Sequence, residues 1–175
     1  MLFRSATISR GAQDSTFNLY AVYHYGVGPG DLGWMSLLAG VAALPIPFIT
    51  GSWMDKWGRK RIIVPSFVLL AIALTFVSAT AFLQWSLELY VLGYVLAQMA
   101  QGTTNGTMQV LGADMSPREA RGVFLGIWRF VSQGGALIAP AVFAFVAENV
   151  SYGAAFFMLA ISAALVSALV GFIMK

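Results

Sequence analysis

The side chains able to do chemistry in this 175-residue chain are few and grouped. Arg10 and Asp14 stand four apart, the spacing that puts an opposite-charge pair on one helical face, and Gln13, Asn18 and the sole histidine, His24, follow them. Asp55, Lys56, Arg59, Lys60 and Arg61 crowd one short stretch, and Asp114, Arg118, Glu119 and Arg121 another. Gln98, Gln101, Asn105 and Gln109 recur at intervals of three, four and four, which stacks four amides on one helical face. Such an amide face can hydrogen-bond a polar solute or a neighbouring helix. Arg10 can attract an anionic group or neutralise Asp14. Proton carriage by Asp14 would need a pKa raised by burial, which the arginine opposes, so solute contact ranks above proton transfer for that residue.

The same inventory excludes much. With no cysteine there is no disulfide, thiolate metal site or cysteine nucleophile, and one histidine cannot build a multi-histidine metal centre. No nucleotide-binding loop is present, and no metal or other cofactor is implied. An intramembrane hydrolase would need a base beside a serine, or paired carboxylates at one depth. His24 has no serine in a G-x-S-x-G setting, and Asp14 and Asp114 belong at different depths.

The elements that must position these groups are apolar. With 59% hydrophobic residues, 10% charged and a mean hydropathy of +0.78, the chain has more apolar surface than a soluble domain of this length could hide, so the surplus faces a lipid bilayer. The net charge of +3 sits in loops rather than in a stripe with interleaved aromatics, which argues against nucleic acid. Arg4 and Arg10 interrupt the first apolar segment and no small-residue cleavage site follows, so it is not a cleavable signal peptide. Hydropathy and turn chemistry predict an all-α polytopic membrane protein with six spans, at about 2–25, 34–53, 62–84, 87–112, 122–147 and 152–174. Pro45 and Pro47 should bend the second span. The third, almost wholly apolar, is expected at the lipid-facing periphery, and the fifth, with Gly122, Gly126, Gly134, Gly135, Ala136 and Pro140, has the composition of close helix approach. Tyr20, Tyr23, Tyr25 and Trp34 flank an outer turn, with His24 as an interfacial residue.

Charge sets direction. Lys56, Arg59, Lys60, Arg61, Arg118, Arg121, Arg129 and Lys175 fall on one side of these spans, whereas the opposite turns hold Asp31, Glu88 and Glu148 and no base. Lys and Arg are retained on the cytoplasmic side, so both termini are expected there, in a plasma or bacterial inner membrane.

Gly51-x-x-x-Asp55-Lys56-x-Gly58-Arg59-Lys60 resembles the G-x-x-x-D-[RK]-x-G-R-[RK] motif that joins the second and third helices of each half of major facilitator superfamily transporters. Gln98-Met99-Ala100-Gln101-Gly102 is similar to the family's R-x-x-Q-G signature with Gln98 in place of arginine, and Pro117-x-x-x-Arg121-Gly122 leads into a glycine-rich fifth helix. The resemblance covers about residues 10 to 150. It implies one six-helix half, two inverted three-helix repeats, of a twelve-helix transporter. The replaced arginine, Ala139-Pro140 in place of Gly-Pro, and the stretch from Asn18 to Tyr23 favour the C-terminal half. The first span begins so close before Arg10 that the sequence is expected to start inside a helix and to lack the other half.

The resemblance further implies transport of a small solute by alternating access, driven by an ion gradient, such as protons, in symport or antiport, or running downhill. It makes Asp55, with Gly51, Lys56, Gly58, Arg59 and Lys60, a gating motif that contacts the other half, and Gly51 and Gly58 sites of close approach. Arg10, Gln13, Asp14, Asn18, Gln98, Gln101 and Asn105 become the residues lining the solute cavity; Arg118 and Arg121 belong to the second cytoplasmic loop. The competing non-catalytic reading is an inactive half-transporter that scaffolds partners.

Overall fold

The computed structural model describes residues 16–117 and 119–173; for 59–60, 105–111, 113–115, 131–133, 135–137 and 173 it describes the backbone alone. The chain is all-α among the described residues, as the composition predicts. Helix α1 (16–25) ends at Gly26, whose φ of 63° is the left-handed conformation that closes a helix; Gly26 N–H donates to Val22 O. Helices α2 (Pro29–Ala43) and α3 (Ile46–Trp57) are two parts of one long apolar stretch broken at the prolines. Pro45 has no N–H for Val41 O, and Leu44 N–H shares itself between Gly40 O (3.0 Å) and Val41 O (3.3 Å), which satisfies the freed carbonyl at the bend.

Helices α4 (Arg59–Phe82), α5 (Leu87–Met115), α6 (Arg121–Asn149) and α7 (Tyr152–Ile173) complete the bundle. Gly58 joins α3 to α4 at φ 84°, ψ 150°, a reversal that a side chain would strain. Ser151 Oγ accepts from Ala154 N–H and so caps α7.

The most extensive helix pair is α4 with α7. It is antiparallel and tied near both ends: Ser78 Oγ donates to Gly153 O (2.9 Å) and Ser167 Oγ to Val64 O (3.3 Å). Val64 and Ser78 are fourteen residues apart, as are Gly153 and Ser167, so the two helices keep register over roughly 21 Å at 1.5 Å per residue. Midway on the same faces lie Ala71 and Ala160. Small residues at seven-residue spacing let the backbones come close.

Among the described residues three helical stretches are long and apolar enough to span a membrane, and α4 is the most buried of them, at 44% against 11% for Pro29–Trp57 and 28% for Tyr152–Phe172, while its Val68, Leu69 and Ile72 stay exposed. A lipid tail and a leucine are equally apolar, so hydropathy cannot tell a packed face from a lipid-facing one. In α6 a Cβ at Gly122, Gly126 or Gly134 would meet open space, and the side-chain positions of Gly135 and Ala136 lie outside the described set. Close approach occurs at Gly93, where a Cβ would lie 3.0 Å from Phe76 and Val77 side chains, at Gly112, where it would lie 2.9 Å from Trp128 Nε1 of α6, and at Gly153, where it would lie 2.7 Å from Phe82 Cγ.

Gly153→Ala is therefore expected to lower stability by about 1–3 kcal/mol, the usual cost of overpacking, in equilibrium unfolding from lipid-detergent micelles. Combining it with Phe82→Ala should remove most of that specific penalty relative to Phe82→Ala alone; an undiminished penalty would place the clash elsewhere.

Candidate functional site

Three contacts gather the turns at 26–28, 83–86 and 150–151 at one end of the bundle. Tyr25 Oη donates to Trp85 O (2.8 Å), the Tyr20 and Tyr152 rings are 5.1 Å apart, and Phe82 lies against Gly153. Asp31, Glu88 and Glu148 belong to this acidic end and are exposed. The α3–α4 and α5–α6 junctions lie at the opposite end, with exposed Lys56, Arg61 and Arg121.

At the basic end the charges oppose the helix dipoles. Arg59, Lys60 and Arg61 are the first three residues of α4, with no acid in that first turn, and Arg121 opens α6 in the same way. Asp55 lies in the last turn of α3. Each such placement costs about 0.3–1 kcal/mol of helix stability, so these charges are not there to stabilise their own helices; Lys56 alone suits its position. Asp55 is exposed and, among the described residues, makes no hydrogen bond or ion pair. The side chains of Arg59 and Lys60, the other basic members of the gating motif, lie outside the described set. A Cβ at Gly51 or Gly58 would meet open space, and Gly58 is required by its positive φ rather than by a neighbour. Trp53 and Trp57, one turn apart, stack at 6.0 Å on the exposed side of α3.

Between the ends, α1 is locked to α5 and α7 by aromatic rings. Tyr90 Oη donates to Phe17 O (2.8 Å), and Tyr20 is buried among Tyr25, Tyr90, Tyr152 and Phe156. Tyr20 is thus a core residue rather than a flank of the outer turn, whereas Tyr23 and Trp34 are exposed. His24 is exposed, stacked on Tyr20 at 5.0 Å and edge-on to Tyr25 at 4.7 Å.

Of the polar residues singled out by sequence, Arg10, Gln13 and Asp14 lie outside the described residues, as do Arg118 and the side chain of Asn105. Asn18 is half-buried, and its Oδ1 is buried without a hydrogen-bond partner. Gln98 donates to Tyr94 Oη (3.2 Å) one turn back on its own helix. Gln101 lines a half-open cavity of about 210 Å³ in the wall of the bundle. Sequence reasoning missed the rest of that cavity, because its walls are apolar: Phe17 of α1, Phe67 and Leu74 of α4, Pro140 and Phe143 of α6, and Ala163 of α7.

The family model of the Major Facilitator Superfamily matches residues 5–175. The chain belongs to this superfamily. Its members are membrane transporters rather than enzymes, so the bundle is a polytopic integral membrane protein of a transporter that sits in a lipid bilayer and carries a small solute. No curated protein and no solved structure matches the chain.

The orphaned Asn18 oxygen yields a stability prediction. A buried acceptor left unpaired costs about 1–3 kcal/mol, so Asn18→Leu is expected to raise stability by about 1 kcal/mol in denaturant unfolding of the reconstituted chain. A loss of stability would mean that Asn18 is satisfied in the membrane.

Proposed function

We propose that this chain is one six-helix half, the C-terminal one, of a secondary transporter that moves a small solute by alternating access, ion-driven or facilitative, with the Gly51–Lys60 segment as its cytoplasmic gate. The observation that carries the gate is Asp55: an exposed carboxylate with no partner among the described residues, at a helix end where the dipole disfavours it. A charge placed against its own helix is stabilised by a partner outside that helix. A cation or a helix N-terminus on the other half of the transporter fits, since both attract a carboxylate. Formed when the cytoplasmic ends meet, this contact favours the outward-open state and breaks when the solute is released inside. Gly58, fixed at φ 84°, holds the α3–α4 turn so that Asp55 and the bases following it stay at the rim.

In this reading the basic end is cytoplasmic and both termini lie there, as the separation of Lys56, Arg61 and Arg121 from Asp31, Glu88 and Glu148 supports. Arg10, Gln13, Asp14, Asn18, Gln98, Gln101 and Asn105, on the first helices of the two triplets, contribute to the solute path. Arg10 and Asp14 are the charged members, and an ionisable pair at membrane depth normally faces a cavity or a partner.

The complete transporter carrying Asp55→Asn is expected to insert at wild-type levels. Its uptake of compounds that the wild type accepts from a panel should fall about tenfold or more, the equivalent of one hydrogen bond to a charged group. Wild-type uptake by the variant would end the gating role. Orientation is tested separately, because the chain has no cysteine of its own. An impermeant maleimide on intact cells should label Ser86→Cys at once and Ala120→Cys only after permeabilisation; the reverse pattern would invert the topology.

A further inference from the structure

The cavity bordered by α1, α4, α5, α6 and α7 is a site in its own right. Phe67, Leu74, Pro140, Phe143 and Ala163 stand near the middle of their helices, so the cavity lies at the mid-depth of the bundle. At that level a membrane protein meets hydrocarbon or another apolar helix, not headgroups. An apolar cavity of about 150 Å³ stays dry and binds benzene. This one, at about 210 Å³, half open and with mainly apolar walls, has room for a bicyclic aromatic.

One feature adds a polar preference. Ser162 Oγ donates its hydrogen to Leu159 O (2.7 Å), which leaves the oxygen on the cavity wall as an acceptor. That oxygen calls for a donor on the occupant; Thr16 and Gln101 are the other polar side chains of the lining, and no charged side chain lines the cavity among the described residues.

We propose that this cavity binds a compact, uncharged, lipophilic molecule of one or two rings bearing a single hydroxyl donor, a phenol or naphthol, taken up from the bilayer. The site lies within one bundle and stands whether or not the gate at Asp55 operates. Its walls come from α1, α4, α5, α6 and α7, so an occupant braces α6 on the α4–α7 pair.

The test is photolabelling of the full chain in liposomes with a phenol that carries a trifluoromethyl-diazirine, mapped by peptide mass spectrometry. Labelling at Leu159 and Leu70 is expected to saturate and to be competed by 2-naphthol. At Leu69 and Phe172, which are exposed, it should rise in proportion to probe and resist competition. Ala163→Phe, which fills the cavity, should cut the saturable part at least tenfold. Should that variant not fold, Ala139→Leu fills the cavity from α6 with the same expected loss. Ser162→Ala should weaken competition by 2-naphthol several-fold while leaving competition by naphthalene unchanged. Labelling at Leu159 that never saturates, resists 2-naphthol and is unmoved by the filling variant would overturn the site; equal competition by naphthol and naphthalene in wild type would overturn the preference for a donor.

Discussion

The pairing of α4 with α7 is the constraint on which the rest of the bundle depends. In lipid no hydrophobic force drives helices together, so association rests on close packing and on interhelical hydrogen bonds. The hydrogen bonds of Ser78 to Gly153 and of Ser167 to Val64 are worth only about 0.6 kcal/mol each by the usual membrane figure, too little to hold the pair. What they do is fix its register, because each hydroxyl reaches a carbonyl on the partner helix at one alignment only. The affinity comes from the seam between them, where alanine, serine and glycine recur every seventh residue and allow contact along both helices. Helix α5 then packs on α4 through Gly93, and α1 hangs on α5 through Tyr90 and its ring neighbours.

Helix α6 joins this framework less firmly, lying mainly against α7 and little against α5. The cavity is the consequence. An occupant of it touches α6 and the α4–α7 pair at once, and so bears on the position of α6. The charged rim works by a different logic. Its arginines and lysines sit where helix dipoles resist them, so they answer to the membrane's two faces and to a partner beyond this bundle.

How much of this the sequence disclosed follows from what each signal measures. Hydropathy reports apolar length, so an all-helical membrane protein was readable, and the prolines at 45 and 47 announced the break between α2 and α3. It cannot report what an apolar residue touches. That is why neither the packed face of α4, with Ile63, Ala73 and Val77, nor the walls of the cavity gave any sign. A glycine marks close approach only where a partner arrives, as at Gly153 and not at Gly126. The seven-residue recurrence of Val64, Ala71 and Ser78 against Gly153, Ala160 and Ser167 was visible in principle, as small residues on a period rather than as hydropathy. Of the polar candidates, Gln101 reaches the cavity wall, while Gln98 turns to Tyr94 on its own helix. Amide spacing shows which helical face is polar, not whether a given amide faces a neighbour, a void or its own turn.

The register of α4 against α7 can be measured directly. With no cysteine among these 175 residues, Ala71→Cys and Ala160→Cys can be introduced together and oxidised in the membrane. The account predicts rapid, near-complete crosslinking of this pair and little for Ala71→Cys with Ala164→Cys, one turn further along. Equal crosslinking of the two pairs, or preference for the second, would contradict the seam and the cavity built on it.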